Sequence, residues 1–284
     1  MVSMKDEKVI KEVTYSAIRV ERRTIFSEFL ERNVILDVYI PLLQAKHDNV
    51  SLLLVNDGQD LVKMDFAGIV DPMISTEKIE PIMCVGIHCS ADRIMEYGTI
   101  CRSDYKGRGA RAGLYCKFIL DELMPFIRRE FSISSFREKS FAGFSLGGLT
   151  ALDIAWNHAN EFLKVGVFSG SLWWRRKGYT DKHYDYAKDR IMHLQIEKGK
   201  VQPWLHFFFQ TGLLDETADR NNNGIIDSVE DTMDLISHLK DLGYPDNQME
   251  YLQLEDGRHD VPTWARALPT FLVWGWGKGR TIKV

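Results

Sequence analysis

No stretch of this chain is apolar for long enough to cross a bilayer. The longest runs, SLLLV at 51–55 and HFFF at 206–209, fall far short of the ~20 residues a spanning helix needs. A basic tail and a block of like charge are also lacking. With a net charge of −4 over 284 residues, nucleic acid is not an expected partner. The opening residues, MVSMKDEKVIKEV, are charged from the start and hold neither an apolar h-region nor a small-residue cleavage site. They do not read as a secretory signal, so a cytoplasmic location is expected. Cysteine is scarce. Cys84, Cys89, Cys101 and Cys116 share one stretch, and their spacing matches no zinc or redox motif. They read as reduced thiols. Internal repeats, low-complexity tracts and Pro/Ser-rich linkers are absent, which excludes a repeat array and argues for a single domain over 1–284.

The composition that remains, 45% hydrophobic and 27% charged, is that of an ordinary globular chain. Residues 13–26 and 33–42 alternate apolar with polar, which suits half-buried strands of a hairpin. SLLLVND (51–57) and PIMCVGIHC (81–89) are continuous apolar runs, as expected of strands covered on both faces. Residues 113–131 have helical spacing, with Leu114, Phe118, Leu123 and Ile127 on or near one face and Pro125 marking a kink or a new turn. Strand, sharp turn and helix follow over 139–159, then strands at 164–170 and 204–212. A helix at 228–243 stops on Gly243, a strand covers 249–257, and a helix closes the chain at 263–276. Strands alternating with helices predict an α/β fold with a mostly parallel central sheet and helices on both faces. The polar and aromatic stretch 171–203 reads as a small cap above the sheet's C-terminal edge, where ligands bind in such folds.

The chemistry is carried by Gly143-Phe144-Ser145-Leu146-Gly147, which fits G-x-S-x-G. Between a strand and a helix, this pattern builds a tight turn that lifts the serine hydroxyl above the sheet and aims the next backbone N–H at a substrate oxygen. Ser145 is thus the candidate nucleophile and the Leu146 N–H an oxyanion donor. A serine of ordinary pKa needs a base. In folds with this elbow, the chain order runs serine, acid, histidine. Of the histidines after Trp204, His206 lies inside an apolar strand and His238 on a helix face, so both read as structural. His259 lies in the loop between the last strand and the last helix, where the base belongs. The acid follows the strand at 204–212. Asp215 is favoured and Glu216 is the alternative. A second oxyanion donor is expected from the turn VNDGQDL, with the Gln59 N–H the best candidate. Asp57, His88, Arg93, Trp173 and Trp174 are assigned to the substrate pocket. For His88 a packing role is the alternative, and for the two tryptophans cap-to-core packing is equally open.

Taken in order, LLLVNDGQDL, RIMEYGT (93–99), ELMPFI, GFSLGG, FSGSLWW, GLLDE and GRHDVPTW resemble the putative-esterase family of α/β-hydrolases, which includes enterochelin esterase-like, feruloyl esterase-like and S-formylglutathione hydrolase-like enzymes. The resemblance runs from about residue 34 to 274. It implies a Ser145–Asp215–His259 triad, with Gln59 and Leu146 forming the oxyanion hole. It further implies hydrolysis of a small carboxylic ester through an acyl-enzyme, with no cofactor for catalysis. Acyl transfer to an alcohol, and a non-catalytic binding module on the same scaffold, are the alternatives. The extra N-terminal domain of enterochelin esterases is not expected here. No cysteine is expected beside the oxyanion turn, in contrast to the S-formylglutathione hydrolase branch.

One motif stands apart from that chemistry. DRNNNGIIDSVE (219–230) matches D-x-[DN]-x-[DN]-G-x5-E in full. Asp219, Asn221, Asn223, the Ile225 carbonyl, Asp227 and Glu230 would supply the oxygens, with Gly224 at the sharp turn. A structural calcium ion is expected, one that holds the segment after Asp215. The alternative is an Asn/Gly-rich turn capping the next helix. Oligomeric state is left open by the sequence.

Overall fold

A computed structural model describes residues 11–42 and 50–279. The first ten residues, on which the reading of the N-terminus rests, lie outside them. Nine strands form one sheet: β1 (Lys11–Thr14), β2 (Ile18–Ser27), β3 (Arg32–Pro41), β4 (Ser51–Asn56), β5 (Ile82–Ile87), β6 (Lys139–Phe144), β7 (Lys164–Phe168), β8 (His206–Leu214) and β9 (Met249–Arg258). Their order in space is β1-β2-β3-β5-β4-β6-β7-β8-β9. β1 to β3 are antiparallel and β3 joins β5 antiparallel, whereas β4 to β9 run parallel. This is the mostly parallel sheet of the α/β-hydrolase fold. The run read as one strand over 13–26 breaks into β1 and β2. The amide of Tyr15 turns back to the carbonyl of Ile18, so the chain reverses there.

The helices are α1 (Gly58–Lys63), α2 (Phe66–Ser75), α3 (Arg93–Glu96), α4 (Ala112–Lys117), α5 (Met124–Glu130), α6 (Leu146–Asn157), α7 (Tyr186–Asp189), α8 (Ile191–Glu197), α9 (Asp227–Leu242) and α10 (Val261–Trp276). Two apolar cores separate them by sheet face. Tyr115, Phe118, Leu149, Ile191 and Leu235 bring α4 to α6, α8 and α9 onto one face. Leu61, Phe66, Val70, Trp264 and Phe271 bring α1, α2 and α10 onto the other. A π-helical turn, Phe118–Leu123, joins α4 to α5 directly before Pro125. Proline offers no N–H to an α-helical ladder, and a wider turn relaxes the ring's clash with the preceding carbonyl. The extra residue also shifts the helix face. Phe118, Leu123 and Ile127 are buried, and Leu114, before the turn, is 36% exposed.

The turn expected over 55–61 to supply an oxyanion donor is shorter than the sequence suggests. β4 ends at Asn56, Asp57 takes a left-handed conformation, and α1 starts at Gly58. Gln59 is therefore the second residue of a helix. A Cβ on Gly58 would overlap the backbone of Gly86 and Ile87, so glycine lets α1 lie directly on β5.

Candidate active site

Ser145 sits between β6 and α6 with φ 54° and ψ −123°, a backbone state that costs a non-glycine residue about 1–3 kcal/mol. The turn is held by its surroundings. The Ser145 amide donates to the Phe168 carbonyl at 2.8 Å, and a Cβ on Gly143 would overlap the Gly147 backbone. A Cβ on Gly147 would stand 2.6 Å from Asp57 Oδ2, so the elbow is pressed against the end of β4. Leu146 opens α6, and the first amides of a helix have no partner within it. The Ser145 hydroxyl lies 3.4 Å from the Ser171 hydroxyl, its hydrogen-bond partner among the described residues. Catalytic hydrogen bonds are often loose without substrate.

His259 follows β9 and precedes α10. Its ring meets the edge of Trp264, with centroids 5.3 Å apart. Trp264 stacks on Phe144, the residue before Ser145, and its indole N–H donates to Ser169 Oγ at 3.0 Å. This tryptophan, within the quoted GRHDVPTW, thus ties the histidine loop to the elbow and to the end of β7. Its role was not read from the sequence, because an apolar position on a helix does not reveal which loop it will support. His259 is exposed at the rim, yet protein packed around it lowers its pKa. The positive charge of Arg93 acts in the same direction, and Asp215 opposes both.

Asp215 is half-buried. Its Oδ2 accepts the Gly212 amide at 3.1 Å, and its Oδ1 is buried without a hydrogen-bond partner. Burial raises its pKa, while the Gly212 N–H, the Ser169 hydroxyl and the nearby His259 pull it down. Glu216, the alternative acid, faces another way. Its carboxyl interacts with Ser228 in the first turn of α9, and burial raises its pKa. Among the histidines read as structural, His206 is buried and its pKa is pushed down to about 4 by burial and by Lys164. His238 packs its ring against that of His193.

The five residues assigned to the pocket separate. Trp174 is 0% exposed and packs against Gly98 and Gly109, which corrects its assignment to a substrate wall: the ring belongs to the core. Trp173 is partly exposed, with the Arg108 guanidinium 4.7 Å from its ring. The Nε2 of His88 lies 2.6 Å from Asp37, which also takes a two-pronged bond from Arg22, so His88 belongs to a polar cluster on β2, β3 and β5. Asp57 is 2% exposed and accepts from Arg93 Nε and Nη2 at 2.6 and 2.8 Å. Gln59 exchanges contacts with Cys89, donating to its sulfur at 3.3 Å and accepting its amide at 3.1 Å. A cysteine therefore does lie beside the turn expected to supply an oxyanion donor. It arrives from the end of β5, thirty residues away in sequence, and so escaped a reading of the local motif. Burial pushes its thiol up to about 11.

Beyond Asp215, the loop at 219–230 closes on itself. Asp219 accepts the amides of Asn223 and Gly224, Gly224 has φ 84°, and Asn223 Oδ1 accepts the Ile225 amide. The side-chain amides of Asn221 and Asn223 both donate to Glu230 Oε1 at 2.7 Å. Arg220 contacts Asp227, Glu230 and Asp231. The predicted oxygens of Asp219, Asn221, Asn223 and Glu230 are thus brought together. An ion there has to take Glu230 from two amides and from Arg220. Among the described residues, no group of three or more His, Cys, Asp or Glu side chains is arranged as a metal site. Tyr179, Tyr184 and Tyr186 from the insertion face this loop across a cavity of about 670 Å³. No helix among the described residues is long and apolar enough to cross a membrane.

Comparisons with known proteins bear on the family and the fold. The Esterase family model, described as "Putative esterase", matches residues 27–274. The uncharacterized protein YjcH of Bacillus subtilis (strain 168) is 24% identical over 221 residues, covering 76% of this chain and 82% of that protein. Among solved structures, a ferulic acid esterase superposes with a TM-score of 0.67 at 17% identity, covering 90% of this chain and 97% of that one. The enterochelin esterase of Shigella flexneri superposes with a TM-score of 0.69 at 17% identity, covering 89% of this chain but 57% of that one. An IroE-like serine hydrolase of Shewanella oneidensis gives a TM-score of 0.66 at 17% identity, covering 90% and 79%. At these identities the structural likeness is one of fold.

Proposed function

The chain belongs to the putative esterase family, and from that premise we propose that it is a serine carboxylesterase acting on a small ester through an acyl-enzyme. The observation that carries the reading is Ser145, held in a strained turn at the C-terminal end of a central parallel strand. Strain of this kind persists where surroundings over-determine it, and it concentrates at functional sites.

In the proposed reaction, Ser145 Oγ attacks the ester carbonyl carbon while His259 takes the hydroxyl proton. The oxyanion of the tetrahedral intermediate is met by the backbone N–H groups of Leu146 and Gln59. Collapse breaks the bond to the alcohol oxygen, and His259 returns the proton to that leaving group. Water then repeats the sequence on the acyl-enzyme, releasing the carboxylic acid and restoring Ser145. Asp215, half-buried and near enough to His259 for their charges to interact, would accept the second ring N–H of His259 and hold its tautomer. The depressed pKa of His259 supports its role as base, because it keeps the imidazole neutral at neutral pH. The test is labelling with an active-site phosphonate together with turnover of a panel of activated esters. Labelling at Ser145 and turnover that Ser145→Ala abolishes are expected; turnover kept by that variant overturns the assignment.

A structural calcium ion in the 219–230 loop is proposed alongside, supported by the complete motif and by the way Asp219 gathers the amides of Asn223 and Gly224. Its contribution would be to hold the loop, whose Asp227 amide already bonds the Ala218 carbonyl three residues after Asp215.

A further inference from the structure

We propose that Arg93 and Asp57 form a positioning strut that sets the oxyanion turn against the nucleophile elbow, rather than a receptor for the substrate. The inference rests on the serine-esterase reading above and assigns these two residues their part in it. Three segments distant in sequence meet at this pair. Asp57 is the residue between β4 and α1, one position before Gly58 and two before the candidate donor Gln59. Arg93 opens α3. Phe144, the residue before the nucleophile, offers its carbonyl to the same guanidinium, 3.5 Å from Arg93 Nη2. The fork of Nε and Nη2 closes on both oxygens of Asp57, so one planar group spans the turn that supplies one oxyanion donor and the strand that carries the nucleophile.

Five further contacts fix the same junction. Asp57 has φ 59° and ψ 44°, a left-handed state that leaves its amide free to donate to the Tyr97 hydroxyl at 3.2 Å. The Arg93 guanidinium lies over the Tyr97 ring, 5.0 Å from its centroid. Asp57 Oδ2 fills the space where Gly147 would otherwise carry a Cβ. Asn56, one residue earlier, donates to the Gly147 carbonyl at 2.8 Å, and its own oxygen accepts the Tyr115 hydroxyl at 2.6 Å. The two oxyanion amides, Gln59 N–H and Leu146 N–H, lie on opposite sides of this junction. Their separation is therefore set by the strut, and a misplacement of about 1 Å in such a site costs on the order of 10²-fold in rate.

The pocket role is the competing assignment, and the charges argue against it. Asp57 is buried and its two oxygens take two of the guanidinium's donors, so the pair is neutral toward an incoming anion. A buried carboxylate left without its cation is strongly unfavourable, which makes Arg93 part of the fold around the site. The guanidinium nevertheless acts on His259, whose proton affinity it reduces.

The experiment compares wild type with Arg93→Lys, Arg93→Gln and the double variant Asp57→Asn/Arg93→Gln, which leaves no unpaired buried charge. Each is measured for melting temperature, kcat and KM on a small neutral ester and on an anionic ester of equal size, and the pH profile of kcat/KM. The double variant is expected to stay folded, to lose about 10²-fold in kcat on both esters, and to keep KM within about threefold. Lysine, which offers the charge without the fork, should restore part of the loss. Arg93→Gln should move the acidic limb of the profile to higher pH, because the cation that holds His259 down is gone. Wild-type kcat in the folded double variant overturns the proposal, and so does a loss confined to KM for the anionic ester. If the wild type itself hydrolyses no ester and a phosphonate labels no serine, the esterase reading falls and the strut with it.

Discussion

Ser145 illustrates how much a single residue can reveal. Its backbone strain is held by the close approach of Gly143 to Gly147 and by one amide bond to β7, so it is present whatever the side chain does. Ser145→Ala should lose on the order of 10⁶-fold in kcat with an unchanged melting temperature, measured on an activated ester and by thermal denaturation. Ser145→Gly should lose the same activity and melt at a higher temperature, since glycine relieves about 1–3 kcal/mol of strain. Asp215 and Glu216 are neighbours in different surroundings. Asp215→Asn should cost on the order of 10⁴-fold in rate, because the histidine loses its orienting acceptor. Glu216→Gln, facing the start of α9, should leave kcat within a few-fold. Rates falling equally for both would refute the assignment of Asp215. The depressed pKa of His259 has a definite sign: the base stays neutral down to a lower pH than a free imidazole. The acidic limb of kcat/KM should therefore lie below pH ~6.5, as a rate profile will tell.

At the scale of elements, the junctions decide more than the elements themselves. α1 can lie against β5 only because position 58 lacks a side chain. Gly58→Ala should shift α1 and Gln59 together, lowering the melting temperature and kcat while leaving Ser145 available to a small phosphonate at a reduced rate. The 219–230 loop supplies a second test. If calcium occupies it, adding a chelator to metal-loaded protein should lower the melting temperature, because a ligand that binds the folded state alone stabilises it by mass action. Metal analysis of the purified protein reads the same question directly. An unchanged melting temperature and no bound calcium would leave the loop closed by Arg220 and the asparagine amides alone. The insertion at 171–203 divides in the same way. Trp174 packs inward on two glycines, and Tyr179, Tyr184 and Tyr186 face the loop across the cavity.

For the whole molecule, one buried acid links the layers around the site. Asp153, on α6 behind Ser145, is 0% exposed and accepts from the Ile100 amide and from Gln195 of α8. Burial outweighs these bonds and raises its pKa to about 6. A raised carboxyl pKa favours the folded state where the group is neutral in both states. Its contribution is fully present below about pH 4 and is lost as pH rises through about 6. The stability difference between wild type and Asp153→Asn, followed by denaturant unfolding, should therefore change between pH 4 and 7 and level off above. A difference independent of pH would contradict the buried charge.

The sequence by itself determined the class of fold, the place of the glycine-bounded Ser145 turn and the family. Those features depend on local patterns: continuous apolar strands, a glycine-bounded turn and a fixed chain order. It also marked His259 and the acid's short segment, since loops after the last strands are ordered along the chain. The tertiary structure decided what needed residues far apart to meet. It separated Asp215 from Glu216 by the direction each carboxyl faces. It drew Trp174 into the core and His88 onto Asp37, and it brought Cys89 and Trp264 to the site. It also paired Asp57 with Arg93 across the elbow. Burial and the company of charges arise only when the sheet is assembled, and no local spacing encodes them.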